Sequence, residues 1–205
     1  MPSSAHVNMI VALKAEARPL IAKYRLLPLA NQRGLFATSA GDIALVICGV
    51  GRANAARAVE RMYRFRADID AAWLNVGIAG HGSEPPGSAL LVREILERAS
   101  GCVTYPAGPL PPAPGTTVLC TVDEPEASYE PGWAYDMEGS GFMKMALRLG
   151  GSSPVHSLKI ISDGPTQTWS QLSGAVVEEL IDSCTGVVDS VLAALTTPDN
   201  DGVVA

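Results

Sequence analysis

The stretch that most constrains this chain is Trp133–Leu149, WAYDMEGSGFMKMALRL, which reads as a short buried strand running directly into a helix. Along the helix Met145 and Leu149 share a face with Met137. Phe142, Met143, Ala146 and Leu147 fill most of the remainder, so the spacing predicts a helix buried nearly all round. Glu138 is the acid set inside this apolar run, and a buried carboxylate is costly unless it is paired or hydrogen-bonded. A helix N-terminus, with its dipole and free N–H groups, is one way to satisfy it. Gly139 and Gly141 each forfeit about 1 kcal/mol in a helix relative to alanine, so something must approach the backbone closely there.

The rest of the chain alternates in the same way. Val7–Leu13 is a β-branched, apolar run followed by KAEARPLIAKYRLL, with Leu20, Ile21 and Tyr24 at helical spacing. Pro19 avoids breaking a helical hydrogen bond only in the first turn, which sets the helix start near Ala15 and Glu16 at its tip. Glu16 there serves either the helix dipole or a ligand at the strand's C-terminal end. Leu35–Ser39 and Ile43–Cys48 form a hairpin about Ala40-Gly41-Asp42, and Gly49-Val50-Gly51 offers an anion cradle before a helix over Ala53–Arg66. That helix presents Ala55, Val59, Met62 and Tyr63 as its apolar face and Arg57, Arg61, Arg64 and Arg66 to solvent.

Ala71–Val76 reads as a buried strand ending in a loop, Gly77-Ile78-Ala79-Gly80-His81-Gly82. Its glycines imply positive φ or close approach of backbone to a ligand, and His81 reads as a solvent-facing loop residue. Ser88–Val92 and Thr116–Val122 are further strands. Between them YPAGPLPPAPG (residues 105–115) holds five prolines and excludes helix and central strand, so it reads as a surface loop or lid. An acidic, turn-rich segment covers Asp123–Pro131. Ser157–Ser162 is a strand that delivers Asp163 beside Gly164 and Pro165, as a catalytic acid or an Asx-turn starter. Trp169–Leu195 contains the last helix, with Leu172, Val176, Leu180, Val187 and Val191 on one side, and the tail from Thr196 is expected to fray.

At 205 residues the chain fits one domain, 1–205, with one sizeable core. Hydrophobic residues make up 47% and charged residues 18%, and no apolar run is long enough to span a membrane. A net charge of −6 disfavours a nucleic-acid partner. The four cysteines are scattered without C-x-x-C spacing, which suits reduced thiols in the cytoplasm and no metal site. The N-terminus lacks the pattern of a secretory signal.

Taken together and in order, the strand-to-helix junction at Glu16, CGVGR, LNVGIAGHG, YDMEGSG and KIISDGP resemble the nucleoside phosphorylase/nucleosidase superfamily, most of all its 5'-methylthioadenosine/S-adenosylhomocysteine nucleosidases. YDMEGSG and IISDGP carry the specific part of the resemblance, which covers roughly residues 7–192. It implies an α/β three-layer fold of the phosphorylase/hydrolase type, with a mixed, mostly parallel twisted sheet flanked by helices. It also implies a homodimer that needs no cofactor and cleaves the N-glycosidic bond of an adenosine-type nucleoside. By the resemblance, Glu138 holds the ribose hydroxyls with Met137 packed on the sugar, Asp163 protonates the purine, and Glu16 orients and deprotonates the attacking water. Lys159 stands where the nucleosidases commonly carry an arginine. Ile78, replacing a small hydroxyl residue, Gly80 and Ser162 complete the substrate-binding set.

Superfamily phosphorylases carry a Gly-Asp-x-x-Arg-like phosphate loop near the first strand. Here ALKAEAR stands in its place, with Glu16 where an anion would be repelled, so hydrolysis is favoured over phosphorolysis. The segment from Glu97 to Gly115 departs from the family; related short branches act on 5'-modified substrates such as futalosine or an adenosylhopane, and the apolar, proline-lined loop suits something less polar than methylthioadenosine. Two alternatives remain at this level: a phosphorylase binding phosphate through Arg52 and the glycine loops, and an inactive nucleoside-binding or scaffold protein.

Overall fold

Strand and helix alternate through the described chain, residues 6–66, 70–126 and 128–196 of a computed structural model. The first apolar run forms β1 (His6–Val11) and hands over to α1 (Lys14–Tyr24). Short strands β2 (Leu27–Pro28) and β3 (Leu35–Ala37) lead into β4 (Ile43–Ile47), which pairs back on β3 around the positive-φ Gly41. Next come α2 (Arg52–Phe65), β5 (Ala71–His81), β6 (Ala89–Glu97), β7 (Cys102–Thr104) and β8 (Thr116–Thr121). The stretch with Glu138 supplies β9 (Trp133–Asp136) and α3 (Gly139–Leu149), after which β10 (Val155–Asp163), α4 (Gly174–Ser183) and α5 (Thr185–Thr196) complete it.

The ten strands hydrogen-bond as one sheet with β5 at its centre. β5 pairs in parallel with β1 on one side and β10 on the other, and β1 pairs in parallel with β4. β10 continues antiparallel to β6, β6 parallel to β8, and β9 runs between β8 and the C-terminal end of β5. The longest ladders are parallel, so the sheet is mixed and mostly parallel as the resemblance implies. Side chains alternate between two cores: Val7, Met9, Leu74 and Leu158 pack under α1, α4 and α5, whereas Ile10, Trp73 and Ile161 pack under α2 and α3. The result is three layers, and the C-terminal ends of β1, β5 and β10 share one edge.

Several expectations are corrected. The Gly77–Gly82 segment is strand through His81 rather than loop, and none of its glycines has positive φ. They are small because other groups press on the strand: a Cβ on Gly77 would lie 2.9 Å from Glu16 Oε1, and one on Gly82 would lie 2.0 Å from Glu130 O. His81 is buried, and its Nδ1 accepts from the N–H groups of Ser83 (3.0 Å) and Glu84 (2.9 Å), so it shapes the turn after β5. Pro19 sits in the second turn of α1, which forgoes one hydrogen bond. On α2 it is Ala58, not the exposed Tyr63, that joins the core, and Arg66 is buried, with Nη2 donating to Gly41 O at 2.7 Å. The last helix is two helices broken at Cys184, with Val177 and Ile181 buried in place of Val176 and Leu180. Thr196 closes α5, and residues 197–205 lie outside the described residues.

Met145 and Leu149 are only half-buried, so α3 is not enclosed all round. Its glycines are explained by protein contacts: a Cβ on Gly141 would sit 2.0 Å from Arg52 O, where α3 crosses the start of α2. Gly141→Ala is therefore expected to destabilise the protein by about 1–3 kcal/mol through overpacking. Gly186→Ala, in open space within α5, should be neutral or stabilising by up to about 1 kcal/mol. Urea denaturation of both variants checks the contrast, and equal effects would contradict it.

Candidate active site

Burial of the YDMEGSG motif creates two carboxylates that need partners, and each finds a different helix. Asp136, the last residue of β9, caps α3: Oδ2 accepts from Gly139 N at 2.7 Å and Oδ1 from Thr121 Oγ1 at 2.7 Å. Glu138 is thereby released from serving its own helix. Its Oε1 instead accepts from Gly51 N at 2.7 Å, at the N-terminus of α2. The Gly49-Val50-Gly51 turn, with φ of 82° and 105° at its glycines, does receive a carboxyl group, and that group is the protein's own Glu138.

Glu16 reaches the same region from the end of β1. Its Oε2 accepts from Ala12 N (2.9 Å) and Leu13 N (2.7 Å), and its Oε1 accepts from Ile78 N on β5 (2.9 Å). Three of the roughly four acceptor sites of a carboxylate are thus taken, which fixes the group and leaves room for about one further donor. Burial pushes Glu16 above the usual carboxylate range, offset in part by the Ile78 and Leu13 N–H groups, Lys159 and the Ala12 N–H.

Lys159 lies inside the sheet on β10, 1% exposed, with Nζ 2.8 Å from Asp136 Oδ2. Burial opposes its charge, but Asp136, Glu138 and Glu16 outweigh burial and hold the ammonium above its ordinary pKa. Glu138 is raised from 4.5 to about 7, first by burial and then by the charge of Asp136. The neighbouring Cys48 thiol is pushed up to about 12 by burial, Glu138 and Glu16, so it is no thiolate nucleophile.

Asp163 ends β10 beside a register shift in its ladder with β5. Ser162 Oγ donates to Oδ1 at 2.6 Å and the Tyr129 hydroxyl donates to Oδ2. Glu16, Met137, Glu138, Ile78, Gly80, Ser162 and Asp163 all line one cavity of about 360 Å³. Lys159 is not among its lining residues; its Nζ pairs with Asp136, which is. Sequence reasoning missed Asp136, Tyr129 and the wall formed by Trp169, Leu172 and Val177. Asp136 was visible, two residues before Glu138 in a buried strand. Tyr129 and the wall carry no local signal.

The proline-rich segment does not cover this cavity. Ala107 bridges Val155 and Gly108 packs on Pro154, at the opposite end of β10 from Asp163, so it is no lid over this cavity. Arg52, the phosphate-binding candidate, is engaged elsewhere, with Nη1 2.8 Å from Glu97 Oε1 and Nε 3.1 Å from Asp123 Oδ1. No lysine or arginine is among the described residues lining the cavity. Among the described residues, no helix is long and apolar enough to cross a membrane.

Because Glu138 keeps in the folded state a proton that the unfolded chain releases from pH 4.5, stability falls as pH rises between 4.5 and about 7, by roughly 3 kcal/mol at most. Glu138→Gln keeps an acceptor for Gly51 and removes this loss. Melting temperatures measured from pH 5 to 8 should show the variant gaining on the wild type as pH rises; parallel curves would contradict the raised pKa.

No protein-family model matches the chain, and no curated protein matches it in sequence. Solved structures share its fold. Apo 5'-methylthioadenosine nucleosidase from Arabidopsis thaliana superposes with a TM-score of 0.78 at 17% identity, covering 95% of this chain and 97% of that one. The 5'-methylthioadenosine/S-adenosylhomocysteine nucleosidase of Helicobacter pylori gives 0.71 at 13% identity, with 94% and 99% covered. Futalosine hydrolase of H. pylori gives 0.71 at 13% identity, with 93% and 98% covered.

Proposed function

We propose that the protein is a purine nucleoside N-ribohydrolase acting on an adenosine-type nucleoside in the cytoplasm. The observation that carries this is the convergence of Glu16, Glu138 and Asp163, from three separate strand ends, on one cavity whose described lining includes no cation. The likeness in fold to solved nucleosidases supports it. Cleaving an N-glycosidic bond builds positive charge on the sugar and negative charge on the leaving base, so it calls for carboxylates near the sugar and a proton donor at the base.

Each carboxylate suits one task. Glu138, anchored through one oxygen to Gly51, offers the other to the ribose hydroxyls, with Met137 beside it. Glu16, raised by burial and held by three N–H groups, orients a water on its remaining lone pair and takes its proton. Asp163, held by Ser162, delivers a proton to the base. Lys159, which does not line the cavity, holds Asp136 beside Glu138. Phosphorolysis fits poorly, because the anion cradle is filled by Glu138 and Arg52 is engaged by Glu97 and Asp123. The same lack of a cation favours an uncharged 5' group, as in methylthioadenosine, over one bearing a carboxylate. Val50 and Trp169, 45% and 48% exposed on the cavity wall, would be covered in a homodimer, the assembly we favour.

Base release from a panel of purine ribosides, assayed with and without phosphate, tests the proposal. Release should be independent of phosphate and fastest for methylthioadenosine, ahead of adenosylhomocysteine and futalosine. Asp163→Asn should lower turnover by about 10² to 10⁴ with the fold intact. Release that requires phosphate, or an undiminished Asp163→Asn rate, would overturn the assignment. Light scattering should give twice the 21.4 kDa chain mass, and a monomer would refute the dimer.

A further inference from the structure

Tyr129 belongs to the acidic segment between β8 and β9. It is flanked by exposed Ser128 and Glu130, yet its own side chain is half-buried and lines the cavity. The ring presses on β5 at Gly80, where a Cβ would lie 2.3 Å from Tyr129 Cε1 and 2.9 Å from Asp163 Oδ2. Tyr135 meets the ring edge-on, with centroids 5.6 Å apart and planes at 73°. The hydroxyl donates to Asp163 Oδ2 while Ser162 holds Oδ1. An aromatic ring therefore lies in the cavity with a donor aimed at the proposed acid.

That is also the arrangement a purine would have just after leaving the sugar. Once Asp163 has given its proton to a ring nitrogen, the departing base is an aromatic ring whose N–H donates to an ionised carboxylate. We infer that Tyr129 is an internal stand-in for the leaving base, holding the base's hydrogen-bond position at Asp163 in the empty enzyme and competing with the product purine for it. The inference rests on the nucleosidase reading, in which Asp163 is the proton donor.

Two consequences follow from the chemistry. With Ser162 and Tyr129 donating to its two oxygens, Asp163 has a carboxyl oxygen free to face a base only when the phenol has moved aside for a substrate. The phenol itself remains a donor at ordinary pH, since burial and the Asp163 carboxylate both raise its pKa. After cleavage its return replaces the hydrogen bond of the product, which promotes release. Gly80 fits this role, because any side chain there would occupy the volume taken by the ring.

Tyr129→Phe keeps the ring contacts and removes only the donor. Calorimetric titration of free adenine and hypoxanthine into the wild type and this variant should show binding about 10-fold tighter in the variant, the effect of freeing a hydrogen bond to a charged group. Product inhibition of riboside cleavage should strengthen by the same factor. Tyr129→Met, which also lacks the donor, should shift affinity in the same direction. An active enzyme whose purine affinity is unchanged or weakened in both variants would overturn this inference alone. A wild-type protein that neither binds purine nor cleaves any riboside would overturn the nucleosidase reading and the inference with it.

Discussion

A buried ammonium surrounded by carboxylates is the constraint on which the rest of this site depends. Lys159 is enclosed in the central part of the sheet, where an unpaired charge would be prohibitive, and Asp136 lies 2.8 Å from it with Glu138 and Glu16 near enough to raise its pKa. The dependence is mutual. Without the lysine, three acids would share a buried volume with only N–H groups and the Thr121 hydroxyl to hold them, and breaking such a cluster by deleting one partner costs about 3–5 kcal/mol. The cluster thus ties β10, β9 and the α1 junction to one geometry.

Helix ends distribute the remaining charge. Asp136 caps α3, so Glu138 can turn away from its own helix to the glycine turn before α2, and Glu16 folds back on the N–H groups at the start of α1. Glu138 is held by a backbone donor through one oxygen and Glu16 by three backbone N–H groups across both, and the two line the same cavity. Such preorganisation is what transition-state stabilisation requires, because no group has to reorient as charge develops. The glycine turn before α2 is likewise occupied by an internal carboxyl group, that of Glu138.

Much of this was legible in the sequence because it rests on local patterns. Strand-to-helix alternation, the hairpin at Gly41 and the helix opened by Glu138 follow from periodicity and turn chemistry, and Glu16, Glu138 and Asp163 stand at strand ends where α/β sheets gather ligands. What was not legible depends on contacts between distant segments. The glycines of β5 look like a loop until the side chain of Glu16 and the backbone of Glu130 are seen pressing on them. His81 looks solvent-facing until the following turn donates to it. The proline-rich segment resembles a lid in composition alone, and only topology carries it to the far end of β10. Asp136 was overlooked beside Glu138, although two acids in one buried strand-to-helix turn imply two separate sets of partners.

The identity of the nucleophile tests the central claim most directly. Cleavage of methylthioadenosine in ¹⁸O-labelled water containing phosphate, followed by mass spectrometry of the sugar under conditions that suppress its exchange with solvent, distinguishes the two reactions at the anomeric carbon. A water held by Glu16 predicts one ¹⁸O in the free sugar and no sugar phosphate. A sugar 1-phosphate without label would contradict it, and would mean that the carboxylates of this cavity serve phosphorolysis.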